Sequence, residues 1–172
     1  MIHAIRKEKT EKRLIKIPDR LMADIDAKAI GFYGNRSEFI TEAIRSFTRD
    51  RLRKDREEIL ELQKTMDGTD LMNAAYDHSQ ISIKRLKSIL VQYRSEEYTG
   101  VTIYLPYTLL DYIESCFISE EGELRNLQEF ARLAAAHELD KLVKELSIAD
   151  MLDISNAYPS VTEEDTEAPQ PE

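Results

Sequence analysis

The sequence predicts a mainly α fold with a short β-ribbon: two strand–helix–helix units, joined by helical segments, in a dimeric protein. Three observations predict it. A motif recurs 88 residues apart, as Pro18-Asp19-Arg20-Leu21-Met22-Ala23-Asp24-Ile25-Asp26 and Pro106-Tyr107-Thr108-Leu109-Leu110-Asp111-Tyr112-Ile113-Glu114. At each proline the apolar period changes from that of a strand to that of a helix. Basic residues gather in and before the first copy: residues 1–54 hold 14 Lys and Arg against 8 Asp and Glu, whereas residues 55–172 hold 10 against 25.

The first strand is Leu14-Ile15-Lys16-Ile17, with basic residues before it. Its alternation turns Ile15 and Ile17 to a core and Lys12, Leu14 and Lys16 outward. Arg13 falls on the inward side, where an apolar residue is expected. Pro18 ends the strand and opens a helix, because its fixed φ suits the first turn and its missing N–H costs nothing there. Leu21, Met22, Ile25 and Ala29 then recur as one buried helix face. Gly31 and Gly34 supply the break. Asn35, with Glu38 three residues on, has the form of a capping box that starts a second helix. Its apolar face is Phe39, Ile40, Ala43, Ile44 and Phe47.

The same order returns in residues 99–145. Val101-Thr102-Ile103-Tyr104-Leu105 is the strand, and Gly100, Thr102 and Tyr104 are its outward positions. Asn126-Leu127-Gln128-Glu129-Phe130 repeats Asn35-Arg36-Ser37-Glu38-Phe39 at an offset of 91, so the second inter-helix loop is three residues longer. Residues 51–98 between the copies read as helical. The second helix extends through Thr48–Met66, Met66-Asp67-Gly68 breaks it, and another helix follows from Leu71 to Tyr93. Residues 146–155 suggest one more short helix. Asn156–Glu172, with three prolines, five acids and no base, reads as a disordered acidic tail. The chain thus divides into 1–50, 51–98, 99–145 and 146–172.

A four- to six-residue strand cannot stand alone in water. A strand preceding two amphipathic helices therefore calls for pairing with a second such unit. Here the sequence resembles the ribbon-helix-helix family of Arc-like, MetJ-like and CopG-like repressors. The resemblance is strongest over residues 10–50, in Lys12 to Pro18, Gly31 and Asn35-Arg36-Ser37-Glu38-Phe39-Ile40 to Ala43-Ile44-Arg45; a weaker copy spans 99–144. It implies a sequence-specific, DNA-binding transcriptional regulator, a repressor, whose antiparallel ribbon enters the major groove of double-stranded DNA. Lys12, Leu14 and Lys16 are then the base contacts, lysine donating to guanine and Leu14 touching a thymine methyl. A leucine at that position departs from the polar residue usual in the family. Asn35, Arg36 and Ser37, at the start of the second helix, are the expected phosphate contacts. Arg6, Lys7 and Lys9 form a candidate basic arm.

Residues 99–145 hold 4 bases and 9 acids, so the second copy is expected to keep the fold and serve dimerisation or a protein partner, with DNA binding lost or weakened. An intrachain ribbon would leave half its face without lysines. Homodimeric pairing of first copy with first copy, in a dimer or higher even oligomer, is therefore expected. The competing reading is an antitoxin-type interaction module that masks a partner protein through residues 51–145.

Other chemistry is thin. His3, His78 and His137 show no ligand spacing, and no phosphate loop or nucleophile motif occurs, so neither an enzyme nor a cofactor or metal is expected. No apolar run reaches 18 residues, and no secretory leader is read at the N-terminus, so neither membrane nor export is expected. The single cysteine, Cys116, reads as a buried small hydrophobe in a reducing cytoplasm.

Overall fold

A computed structural model describes the backbone of residues 8–157 and the side chains of residues 8–153. The first strand, β1 (Thr10–Pro18), leads into α1 (Asp19–Lys28), the four-residue α2 (Ile30–Tyr33) and the long α3 (Arg36–Leu62). After a turn come α4 (Gly68–Leu86) and a 3-10 helix (Lys87–Tyr93). The second strand, β2 (Tyr98–Pro106), leads into α5 (Tyr107–Cys116) and α6 (Leu127–Ala157). The chain is thus mainly helical with one small antiparallel sheet of two strands, β1 and β2.

The sheet closes within one chain. Leu14 pairs with Thr102, Lys12 with Tyr104 and Lys16 with Gly100. This replaces the expected pairing of the first strand with its own copy in another chain. The expectation weighed the density of exposed lysines, which contributes little to stability. Intrachain pairing puts Ile15 and Ile17 beside Val101, Ile103 and Leu105 over one continuous core without the entropic cost of bringing two chains together.

The register sets a local two-fold relation. Leu14 and its repeat counterpart, Thr102, sit opposite each other, so every pair further out is exchanged by that axis with another. The strand ends close alike: Asp19 N–H donates to Glu97 O at 3.0 Å, and Tyr107 N–H, 88 residues after Asp19, donates to Lys9 O at 2.9 Å. Pro18 and Pro106 cap α1 and α5 with almost the same angles, φ −53° in both and ψ 136° and 138°.

Helix packing follows the apolar stripes. Leu21, Met22, Ile25 and Ala29 are buried, as are Phe39, Ile40, Ala43, Ile44 and Phe47. Phe130, the counterpart of Phe39, meets Phe47 edge-on at 5.4 Å and lies 5.5 Å from Phe117. Gly34 makes the break before α3 at φ +86°, a conformation that disfavours a side chain; Gly31 instead lies inside α2. The buried Arg51 ties α3 to α4, donating to Ser82 Oγ at 2.9 Å and to Asp55 Oδ1 at 2.6 Å.

Two further expectations are corrected. The short helix expected at 146–155 is the end of α6, which runs unbroken because no proline or glycine interrupts Leu127–Ala157. Residues 158–172 lie outside the described residues, and with them most of the expected tail. Cys116 is exposed. It is the last residue of α5, whose buried stripe is Leu110 and Ile113 with Phe117 just beyond, and its counterpart in the first copy is the ion-paired Lys28. Among the described residues no helix is long and apolar enough to cross a membrane.

His137, on α6, donates its Nε2–H to Leu86 O at 3.2 Å, and burial holds its pKa below the ordinary histidine value. A depressed histidine pKa means the folded state takes up its proton later than the unfolded chain. The contribution is therefore complete above about pH 6.5 and is lost as pH falls below that value. Thermal melts from pH 7.5 to 5 should show a falling Tm, and His137→Gln should flatten that dependence. Phe130→Ala should cost about 3–5 kcal/mol in urea unfolding, the range for emptying a buried phenylalanine site. Because both strands belong to one chain, the urea midpoint should not move with protein concentration, whereas a ribbon built from two chains would make it move.

Candidate nucleic-acid interface

The ribbon exposes one face. Lys12, Leu14 and Lys16 all point outward, as the alternation predicts, with Gly100, Thr102 and Tyr104 beside them. Leu14 is 53% exposed and Tyr104 56%. Ile15 and Ile17 are wholly buried beneath. Arg13 keeps its inward register because two carboxylates neutralise it: Glu11 Oε1 at 2.9 Å and Glu114 Oε1 on α5 at 3.4 Å.

Each strand's outer edge is held by the start of the second helix from the other copy. Ser37, at the start of α3, donates its hydroxyl to Thr102 O on β2 at 2.8 Å. Its counterpart Gln128, at the start of α6, bridges two groups of β1. Its amide donates to Leu14 O at 2.7 Å and accepts from Lys16 N–H at 2.8 Å. Arg132, one turn along, donates Nε–H to Lys16 O at 2.8 Å and lies 4.8 Å over the Tyr98 ring. Sequence spacing aligns Gln128 with Ser37; that Gln128 acts on β1 follows only from the intrachain ribbon.

The expected phosphate contacts fare unevenly. Asn35 caps α3, its Oδ1 accepting from Glu38 N–H at 2.9 Å, and Asn126 caps α6 in the same way from Glu129 N–H at 3.0 Å. Arg36 is already held by Asp26 through two bonds of 2.9 and 2.6 Å, and its guanidinium keeps the Asp26 carboxyl below the usual carboxylate range. Ser37 is engaged with β2. Lys9 is exposed at the ribbon's end; Arg6 and Lys7 lie outside the described residues.

Two clefts flank the ribbon, and they correspond residue for residue. One, beside α3, is lined by Asp26, Ile30, Gly34, Asn35, Arg36, Ser37 and β2 residues 100–102. The other, beside α6, is lined by Glu114, Ile118, Arg125, Asn126, Leu127, Gln128 and β1 residues 12–14. The charges do not correspond. The α3 cleft holds one cation and one carboxylate, paired to each other. The α6 cleft holds Lys12 and Arg125 besides an Arg13 that is paired with Glu11 and Glu114. The second copy, acidic as a whole, thus supplies the more basic cleft, because β1's lysine docks against its helix. Arg125 was not legible as a site residue, since its role depends on a strand more than 100 residues away.

Among the described residues no group of three or more His, Cys, Asp or Glu is gathered to hold a metal ion. No family model matches the chain, and no curated protein or solved structure matches it.

Gln128→Ala should lower stability by about 1–2 kcal/mol, two hydrogen bonds being lost from a partly solvated edge. Hydrogen exchange at the Lys16 amide should accelerate in that variant, while Ser37→Ala leaves the same amide protected.

Proposed function

We propose that the chain is a sequence-specific double-stranded DNA-binding regulator of transcription, a repressor, built from two ribbon-helix-helix units in tandem. The ribbon enters the major groove and the helix starts beside it grip the backbone. The observation that carries this reading is the outward face of the ribbon. Two lysines and a half-exposed leucine stand on a strand whose opposite face buries Ile15 and Ile17 completely. A major groove offers thymine methyls to an apolar group such as Leu14 and O6 and N7 of guanine to the ammonium groups of Lys12 and Lys16. A two-stranded ribbon is also of a width that the groove admits.

The acidic remainder of the chain does not oppose this reading. At physiological salt, charges beyond about 8 Å are largely screened, so the ribbon face and its clefts decide the local attraction. The net charge of −9 instead limits unspecific adhesion and favours binding where base contacts add to phosphate contacts.

The test is a titration of the full chain against duplexes selected from a randomised library, read by fluorescence anisotropy. Lys12→Ala/Lys16→Ala should weaken binding at least about thirtyfold, at about 1–3 kcal/mol for each good base contact. Its far-ultraviolet circular dichroism should match wild type, both lysines being exposed. Unchanged affinity in the double variant would refute the ribbon reading.

A further inference from the structure

We propose that the ribbon reads DNA directionally: the stretch of duplex under one chain lacks two-fold symmetry. This rests on the ribbon reading above and adds to it what kind of sequence the ribbon takes. A ribbon of two identical strands presents the same side chains on either side of its axis and so matches a palindromic stretch. Here the backbone keeps the axis and the side chains break it.

The break begins on the outward face. The local axis through Leu14 and Thr102 would exchange Lys12 with Gly100 and Lys16 with Tyr104. One end of the ribbon therefore presents an ammonium beside a phenol, Lys12 with Tyr104. The other presents an ammonium beside a glycine, Lys16 with Gly100. Lysine donates only, whereas a tyrosine hydroxyl donates and accepts and adds a ring that reaches further from the strand. Gly100 offers no side-chain group of its own, and Leu14 leans over it. The two ends cannot satisfy the same base pairs. At the centre the pair is unlike as well, an apolar Leu14 facing a hydroxyl-bearing Thr102.

The flanks repeat the inequality. In the α6 cleft, adjoining Lys12, Arg13 is paired with Glu11 and Glu114, and Lys12 and Arg125 stand beyond that pairing. The α3 cleft, adjoining Gly100, carries one cation and one carboxylate, and its Arg36 is clamped on Asp26. A phosphate that settles beside Arg125 meets net positive charge, and one beside Arg36 must first displace a carboxylate. The two ends thus differ in kind: the Lys12 end bears the richer set of hydrogen-bonding groups on the face with Arg125 in its cleft, and the Lys16 end bears Arg132 bound to the strand backbone. A duplex bound this way has a fixed orientation.

The experiment selects a randomised duplex library on the full chain. Selected duplexes are then trimmed to the shortest one that native mass spectrometry shows bound to a single chain. That core should not be self-complementary. Phosphate ethylation should interfere mainly on one flank, and Arg125→Ala should abolish this interference and reduce the log–log salt slope by about one phosphate contact. Arg36→Ala should change neither. Gly100→Lys/Tyr104→Lys, which makes the two strands' outward residues alike at their ends, should bind a symmetrised core at least about tenfold better than wild type does. A self-complementary one-chain core, or equal effects of Arg125→Ala and Arg36→Ala, overturns directionality and leaves the ribbon reading standing. Failure to retain or enrich any duplex sinks the ribbon reading itself. Arg125 and Arg36 sit on the surface, so their comparison decides the matter even if the double lysine variant folds poorly.

Discussion

The structure depends on the pairing of two short strands that cannot exist separately. Each is nine residues long and buries only one face, and among the described residues neither has another strand to join. Once β1 and β2 pair antiparallel with Leu14 opposite Thr102, the positions of the helices follow. Each strand feeds its own first helix through a proline, and each second helix returns to hold the outer edge of the other copy's strand. The two copies are therefore interlocked. Neither can bury Ile15, Ile17, Ile103 and Leu105 without the other, and no cut between the halves leaves a complete core.

That interlocking explains what was legible in the sequence. Everything governed by local periodicity is visible there: the alternation that sends Lys12 and Lys16 outward, the helix stripes ending in Ala29 and Phe47, and the Asn35 and Asn126 caps. The correspondence of the copies is legible too, because Pro18 and Pro106, or Phe39 and Phe130, occupy identical mechanical roles. What escapes is whatever joins distant segments. The sequence displays the charge of β1 and the helical character of residues 51–98, but not that this segment carries β2 back along β1. Gln128, Arg132 and Arg125 could be aligned with Ser37, Thr41 and Gly34, yet their contact with β1 appears only in three dimensions. Cys116 was misplaced for a smaller reason: apolar neighbours in sequence need not be neighbours across the helix.

The candidate site shows the same division. Its base-facing residues rest on strand alternation, which a single sequence reveals well. Its backbone grip rests on which helix meets which strand. Arg36 has the appearance of a phosphate ligand beside a helix start, but a carboxylate ten residues earlier, on α1, occupies it in bidentate geometry. The exposed pair contributes little to stability, and its larger effect is to neutralise one of the two clefts. Arg125 stands one residue before the Asn126 cap, where the first copy has Gly34 and needs its positive φ. In the second copy the inter-helix loop is three residues longer and a cation occupies this position.

Gly100 carries the argument one step further. As the counterpart of Lys12 it reads at first as a lost contact. A Cβ added there would lie 3.1 Å from Leu14 Cδ1, so the leucine already leans across the space a side chain would take. The absence of a side chain at 100 and the outward leucine at 14 are thus coupled through one contact on the exposed face. Leu14 lies on the local axis, where two equal strands would set two equal side chains against each other and neither could lean. With Thr102 opposite and Gly100 diagonal, the leucine has one direction open to it, away from the Lys12 end. The asymmetry of the ribbon is therefore a packed arrangement as well as a difference in charge, and it is present before any partner binds.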